Sequence, residues 1–195
     1  MSDGSSVKAD VPKRGAPDNK FEELILFLCQ RSLTDGEFDA IKLNRLLFFA
    51  DFAAYANLGR AITGEPYQKL ESGPAPRRIA ATLRELQEAG DLALAEQDRF
   101  GWRQFRGVAL RSPALSQFGP EEIALVTELI DHFWEKSATE MSRLSDEFDG
   151  WKIAYEGETI PYEVALLKTV KATAADKQLS ESLREKLRAT MQESV

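Results

Sequence analysis

Apolar residues with helical spacing dominate the first part of the chain. The segment Phe21–Ser32 is mostly apolar and predicts a short helix, which a turn at residues 34–36 ends. From about Asp39 to Leu58, apolar residues occupy most of the helical circumference, which is typical of a helix that is buried on several sides. Gly59 then predicts the end of this second helix. We therefore expect the second helix to lie at the centre of the core.

The middle of the chain combines irregular segments, one helix and one β-hairpin. Residues 60–73 show no helical period and predict irregular or extended structure, and Pro74 and Pro76 predict the start of a third helix. Beyond that helix, apolar residues alternate with polar ones on both sides of a turn, which predicts a β-hairpin at about residues 92–108. A helix followed by a hairpin is typical of a winged helix.

Helical patterns return in the C-terminal half. They predict a helix from Pro120 to about Lys136, and another from Ser137 to Phe148 with Glu140 in the capping-box position. Shorter helical pieces are expected up to about residue 174. A last helix, residues 176–192, has an apolar residue at every fourth position: Leu179, Leu183, Leu187 and Met191. The predicted fold class is mostly α (α+β), a compact helical domain with a winged-helix-like β-hairpin.

Composition divides the chain into three parts. Residues 1–19 are polar and predict a disordered N-terminal tail, residues 20–167 form the predicted domain, and residues 168–195 form a C-terminal helical extension. The N-terminal residues lack the apolar stretch of a signal peptide, and no uncharged run approaches the roughly 18 residues of a membrane span. We therefore expect a cytoplasmic protein with no membrane partner.

The sequence has few of the side chains that metal sites and covalent catalysis require. His132 is the only histidine and Cys29 the only cysteine, so we expect neither a zinc site nor an intramolecular disulfide. The motifs of serine hydrolases, phosphate loops and dinucleotide-binding folds are absent. We therefore expect no enzyme activity, no catalytic or metal-binding residues and no cofactor.

Two charged regions are candidate contact surfaces. Arg99, Arg103 and Arg106 lie on the predicted hairpin and form a candidate basic patch, which a DNA-binding winged helix would use on phosphates. The net charge of -7 favours the alternative, in which the arginine stems cover apolar surface and pair with acids. From Pro120 to Glu163, twelve acidic residues stand against three basic ones. That surface is either simply solvated or a contact surface for a basic partner.

The run Lys42-Leu43-Asn44-Arg45-Leu46-Leu47-Phe48-Phe49-Ala50-Asp51 resembles the signature second helix of the Panacea domain. The resemblance covers about residues 21–166. One departure is Asp146, where the family often has histidine after a Leu-Ser pair. The residues that continue the motif are Gly59, Arg60, Thr63, Gly64, Tyr67, Gly73, Pro74, Pro76 and Trp151.

The resemblance implies an antitoxin that neutralises a cognate protein toxin by direct protein–protein binding. SocA-like members of the family also resemble proteolytic adaptors that deliver the toxin to an AAA+ protease, so masking and delivery both stay open. A winged-helix-like DNA-binding transcriptional regulator is the alternative function. On either interpretation the motif residues, Leu46 among them, build the fold and do not identify the partner.

Three motif and tail features carry specific expectations. Asp51 on a buried helix requires partners, either donors in the loop at residues 62–64 or the cation of Arg60. Trp151 is expected to fill a gap between the last helices and the core. The stripe from Leu179 to Met191 can pack on its own domain, pair with a second copy of the chain or bind a partner. It is a candidate partner-binding surface, because recognition must depend on what differs among proteins that share the domain. We expect deletion of residues 176–195 to leave a folded domain that binds its toxin more weakly.

Overall fold

The computed structural model describes residues 19–99, 102–137, 139–141, 143 and 154–166, without the side chains of residues 97–99, 102 and 103. Within these ranges the chain is mostly helical with small antiparallel sheets, which confirms the predicted fold class. None of the described helices is long and apolar enough to cross a membrane. The helices are α1 (Lys20–Arg31), α2 (Ala40–Leu58), α3 (Ile79–Glu88) and α4 (Pro120–His132). The strands are β1 (Tyr67–Leu70), β2 (Gly73–Pro76), β3 (Leu92–Arg99), β4 (Trp102–Ala109) and β5 (Thr159–Ile160).

Helix α2 lies at the centre of the core, as its apolar pattern predicted. Asp39 caps its first turn by accepting a hydrogen bond from the Lys42 amide, and Gly59 ends it in the left-handed conformation. Ten of its residues are buried, including Leu46 and Leu47, whereas Ile41 at its start is 40% exposed. The helix packs against α1, α4, β2, β4 and the 3-10 turn at Tyr162–Leu166.

The prediction that Pro74 and Pro76 open the third helix was wrong. Both prolines lie in β2, which pairs antiparallel with β1, and α3 begins only at Ile79. Their fixed φ is also compatible with extended chain, and β2 is an edge strand of the order β2-β1-β5, where a missing N–H is tolerated. Strand β5 joins the other side of β1 from far along the chain, with Ile160 opposite Tyr67.

The second hairpin confirms the prediction for residues 92–108. Strands β3 and β4 pair from Leu92 opposite Ala109 to Arg99 opposite Trp102. The hairpin packs on α1 at Gly107, where an added Cβ would lie 2.6 Å from the Cys29 Sγ atom. Cys29 is fully buried there, and burial raises the pKa of its thiol to about 12, which is typical of an unreactive structural cysteine.

The C-terminal elements differ in part from the prediction. Helix α4 ends at His132 instead of near Lys136, because Glu135 adopts the left-handed conformation with φ 57°. The predicted capping box at Ser137 is present, since Ser137 and Glu140 exchange hydrogen bonds between side chain and backbone. Trp151, Asp146 and the predicted extension at 168–195, with Leu179, Leu183, Leu187 and Met191, lie outside the described residues.

Candidate functional site

Lys42 is a fully buried cation that joins two distant parts of the fold. Its ammonium group lies 2.6 Å from Asp35 in the loop before α2, and it donates to the carbonyls of Phe133 and Lys136 at 2.8 Å each. These three partners use all three of its donors. Because the two carbonyls follow the C-terminal end of α4, the cation also interacts favourably with the negative end of that helix.

Arg45 is the second buried cation of α2, and its guanidinium group lies under the β1–β2 turn. It donates to the carbonyl oxygens of Ser72 and Pro74. Gly73 lies between these two residues with φ 106°, and a Cβ there would lie within 2.0 Å of three guanidinium atoms. The turn thus depends on glycine both for its backbone conformation and for space.

Asp51 is completely buried, and the loop after α2 supplies donors to it. Its carboxylate accepts hydrogen bonds from the Thr63 amide at 2.7 Å, from the Thr63 hydroxyl, and from the Tyr67 hydroxyl at 2.8 Å. Burial raises the pKa of Asp51, although these hydrogen bonds act to lower it. The donors predicted in the loop at residues 62–64 are therefore present.

Arg60, the alternative partner for Asp51, lies instead near Glu122 at the start of α4. Its guanidinium group is 3.8 Å from Glu122, which also binds the Lys20 ammonium group at 2.8 Å and the Gly119 amide at 2.9 Å. Burial acts to raise the pKa of Glu122, but the hydrogen bonds from Lys20 and Gly119 outweigh it, and the pKa is lowered. Glu122 thus caps α4 and connects it to α1.

Glu65 and Tyr162 form a further polar connection that the sequence did not predict. The Tyr162 hydroxyl donates to the Glu65 carbonyl at 2.6 Å, and the Glu65 carboxylate binds Arg78 at 2.5 Å. Tyr162 also stacks on Tyr55 of α2 with a centroid distance of 5.6 Å. No short-range pattern links residues this far apart in the sequence, so only the fold shows the connection.

Of the three arginines in the candidate basic patch, the structure describes the side chain of Arg106 alone, and the fold engages it. Arg106 donates to the carbonyls of Ser32, Leu33 and Asp35, so it fixes the hairpin to the loop after α1. In the backbone register, Arg99 is opposite Trp102 and Arg103 is opposite Asp98, and the two arginine side chains lie outside the described part.

Two other arginines, Arg111 after the hairpin and Arg77 after β2, are also engaged. Arg111 binds Glu23 at 2.8 Å and Asp91 at 2.9 Å, and the hydrogen bond to Glu23 is the main cause of the raised pKa of Arg111. Arg77 donates to the carbonyl of Gly157 at 2.8 Å. The Arg111 contacts match the alternative in which arginines pair with nearby acids, whereas Arg77 and Arg106 bind backbone carbonyls instead.

Five polar residues thus form a buried frame: Lys42, Arg45, Asp51, Tyr67 and Glu122. The motif residue Arg60 lies outside it, with 68% of its side chain exposed. A groove of about 430 Å³ runs between α2 and α4 and has carboxylates at its rim. Among the described residues, no group of three or more histidine, cysteine or acidic side chains is placed to hold a metal ion. The groove residues are Ala53, Asn57, Leu125, Glu128, Leu129, Asp131 and His132.

Comparison with known proteins assigns the chain to a family. No curated protein and no solved structure matches it. The family model described as antitoxin SocA-like, Panacea domain, matches residues 43–152, which is more than half of the 195-residue chain. The match begins in α2 and extends past α4, so it includes Asp51, Tyr67 and Glu122 of the buried frame. The chain therefore belongs to the SocA-like antitoxin family and contains its Panacea domain.

Proposed function

We propose that this protein is a cytoplasmic antitoxin that neutralises a cognate protein toxin by direct protein–protein binding. Membership of the SocA-like antitoxin family, from the match over residues 43–152, is the observation that carries the proposal. The toxin is the product of the gene adjacent to that of the antitoxin. Binding, not catalysis, is the activity of the chain.

The chemistry of the buried frame supports binding rather than catalysis. Lys42 and Asp51 each have their polar atoms engaged by partners within the fold, and Cys29 is enclosed by α1 and β4. A general base or nucleophile has to reach a substrate, and these groups are withdrawn from solvent. The frame instead holds α2, α4 and the two hairpins in fixed positions, which suits a scaffold that presents its outer surfaces to a partner.

Neutralisation can proceed by masking or by delivery to a protease. A masking antitoxin covers the working surface of the toxin, so its effect requires only a stable complex. A proteolytic adaptor brings the toxin to an AAA+ protease, so its effect disappears when that protease is absent. Masking is the mode that the proposal favours, because it needs one interface on the chain instead of two.

The test is neutralisation in a bacterial host that lacks the native pair. The adjacent gene is induced alone and together with the full chain, and growth is measured in cells with and without the AAA+ protease. We expect growth arrest by the adjacent gene product and rescue by the chain in both backgrounds. Rescue only where the protease is present would indicate delivery. A toxic adjacent product that the folded chain fails to neutralise would contradict the antitoxin function.

A further inference from the structure

The groove between α2 and α4 has an apolar floor and an acidic rim. Ala53, Leu125 and Leu129 are half-buried at its floor, whereas Glu128 and Asp131 are exposed at its edge. The core fixes both helices on the side opposite the groove opening, because Leu47 of α2 and Val126 of α4 belong to the same buried core. The groove is therefore a preformed feature of two rigid elements.

The length of the groove along α4 matches a short stretch of helix. Its α4 wall extends from Leu125 to His132, which is two helical turns, or about 10 Å at 1.5 Å per residue. An amphipathic helix that lies in such a groove inserts apolar residues at i and i+4, and its polar flanks face the rim. Two such apolar residues suffice to cover Leu125 and Leu129.

The negative charge at the rim of the groove determines which kind of helix binds there. Helix α4 has no lysine or arginine, and its exposed carboxylates at Glu121, Glu128 and Asp131 form no ion pair with another described residue. By contrast, the buried carboxylates of Glu23 and Glu65 each bind an arginine. Two of these carboxylates, Glu128 and Asp131, line the groove beside its apolar floor, and the Lys136 ammonium group lies 3.2 Å from the His132 ring at one end of the groove. The two carboxylates attract cations and repel nucleic acid and anionic membranes.

We propose that this groove is the toxin-binding site and that it takes an amphipathic helix of the toxin with lysine or arginine beside its apolar stripe. The inference rests on the proposed antitoxin function. Apolar side chains of the toxin helix cover Leu125 and Leu129, and its cations contact Glu128 and Asp131. The apolar contact provides most of the affinity, and the charges provide orientation and a faster association.

The test reverses the two rim charges in the full chain, as Glu128→Lys together with Asp131→Lys. Both residues are exposed and lie in the C-terminal half of α4, where the helix dipole favours lysine, so the variant is expected to fold normally. The matched control is Glu156→Lys with Glu163→Lys, which makes the same change in net charge at exposed acids outside the groove. The readouts are growth rescue and the Kd for the purified product of the adjacent gene.

We expect the Kd of the groove variant to rise about tenfold or more, and its dependence on salt concentration to weaken, because two attractive charges become repulsive. The control variant is expected to stay within about twofold of the wild type, since its new charges lie outside the contact. Rescue of growth should fail for the groove variant only.

The other possible results of these measurements would overturn either the antitoxin function or the groove as the toxin-binding site. Failure of the wild-type chain to neutralise would overturn the antitoxin function and this inference together, whereas wild-type rescue with an unchanged Kd for the groove variant would overturn the inference alone. Loss of affinity on Phe105→Ala, at a β4 residue that is 50% exposed, with none in the groove variant, would place the toxin on the hairpin.

Two further results would assign the groove to another occupant and so overturn the inference. The groove is occupied by the chain's own C-terminal segment if the rim substitutions affect the Kd only while residues 176–195 are present. It is occupied by a second copy if the chain forms a concentration-dependent dimer that the rim substitutions dissociate. A monomer whose Kd responds to the rim charges with and without that segment is the expected result.

Discussion

Three charged side chains of α2 are withdrawn from solvent, and each is balanced in a different way. Lys42 has an ion-pair partner and two carbonyls, Arg45 binds carbonyls of a turn, and Asp51 accepts only from uncharged donors. A buried charge without such partners costs several kcal/mol. The family motif along α2 is therefore a set of connections that fixes neighbouring loops, and substitutions there act first on stability.

The turn over Arg45 provides a prediction at Gly73. Gly73→Ala is expected to destabilise the fold by about 2–5 kcal/mol, because it combines an unfavourable φ with overpacking. The guanidinium group is buried and held by Ser72 and Pro74, so it has little room to move away from the new methyl group. Urea unfolding measures the change.

Gly36→Ala is the matched control for that substitution. A Cβ at Gly36 meets nothing within 4 Å, and its φ is not in the left-handed region. We expect its unfolding free energy to stay within about 0.5 kcal/mol of the wild type. Equal effects of the two substitutions would show that the contact between Gly73 and Arg45 does not decide the stability of the turn.

Asp51 provides a prediction about pH. Burial raises its pKa above the ordinary value of 3.8, so the folded chain binds this proton more tightly than the unfolded chain. The resulting stabilisation is fully present below the unfolded pKa and is lost as the pH rises through the folded pKa. Asp51→Asn removes the titrating group, and its amide can donate to the hydroxyls of Thr63 and Tyr67.

The measurement is the unfolding free energy of wild type and Asp51→Asn over a pH series that starts near pH 4. As the pH rises, the unfolding free energy of the variant should increase relative to that of the wild type. Asp131→Asn, which removes an exposed carboxylate, is the control for general charge effects. A difference that moves in the opposite direction would mean that the hydrogen bonds outweigh burial and that the pKa is lowered.

The partners of Asp51 could be predicted from the local sequence and those of Lys42 could not, because the two sets of partners lie at different distances along the chain. Thr63 is 12 residues from Asp51, in the loop that directly follows α2, so a buried carboxylate at the end of the helix pointed to that loop. The carbonyls that bind Lys42 are 91 and 94 residues away, and no pattern along the chain encodes that contact.

At the scale of elements, the two hairpins show what pattern can and cannot distinguish. Alternation of apolar and polar residues identified β3 and β4, because each strand is eight residues long. Strands β1 and β2 have four residues each, too few for a clear alternation. The prolines of β2 fit both the first turn of a helix and an edge strand, and the pairing with β1 decided between them.

Arg106 connects the β3–β4 hairpin to the rest of the fold, which gives a prediction at this scale. Arg106→Ala removes donors to the carbonyls of Ser32, Leu33 and Asp35 and a cation that lies 5.8 Å from the Phe38 ring. We expect a loss of about 1–3 kcal/mol in unfolding free energy, because the carbonyls lose their partner.

The control for Arg106→Ala is Arg31→Ala, at an exposed residue of the last turn of α1, with an expected change of about 0.5 kcal/mol or less. Unfolding in urea and hydrogen exchange of the β3 and β4 amides are the measurements. Equal stability of both variants would show that the hairpin is held by its apolar contacts with α1 alone.

This anchoring role changes how the DNA-binding alternative is tested. Replacing Arg99, Arg103 and Arg106 together would confuse loss of a phosphate contact with loss of the hairpin anchor. Arg99→Ala with Arg103→Ala leaves Arg106 in place and removes only the charges near the hairpin turn. An antitoxin whose hairpin does not bind DNA keeps its neutralising activity in this double variant and shows no salt-dependent binding to duplex DNA.

At the scale of the whole molecule, the domain closes with a segment far from its start. Strand β5 completes the sheet of β1 and β2, and the following turn places Val164 in the core beside α2. The predicted domain ends at residue 167, but no pattern in the sequence predicts that this segment pairs with β1. A two-residue strand has no pattern of its own, so its place depends entirely on the sheet that it joins.

Truncation tests where the domain ends. Among the described residues, Val164 is the last buried side chain, so a chain of residues 1–167 is expected to unfold within a few degrees of the full chain. A chain of residues 1–158 lacks Ile160 and Val164, whose burial contributes about 1.5–3 kcal/mol each, and the hydrogen bond from the half-buried Tyr162 to Glu65. That loss approaches the roughly 5–15 kcal/mol that stabilise an ordinary domain, so the shorter chain is expected to be largely unfolded.

Thermal unfolding followed by circular dichroism distinguishes the two truncations, and the full chain is the reference. The longer truncation also separates folding from recognition, because it removes Leu179, Leu183, Leu187 and Met191 of the predicted C-terminal helix. If it keeps both its unfolding temperature and its affinity for the toxin, the extension has no part in either process. If the longer truncation keeps its unfolding temperature but loses affinity for the toxin, the extension contributes to binding beside the α2–α4 groove. A large fall in unfolding temperature would instead place residues 168–195 in the core and move the end of the domain towards the C-terminus.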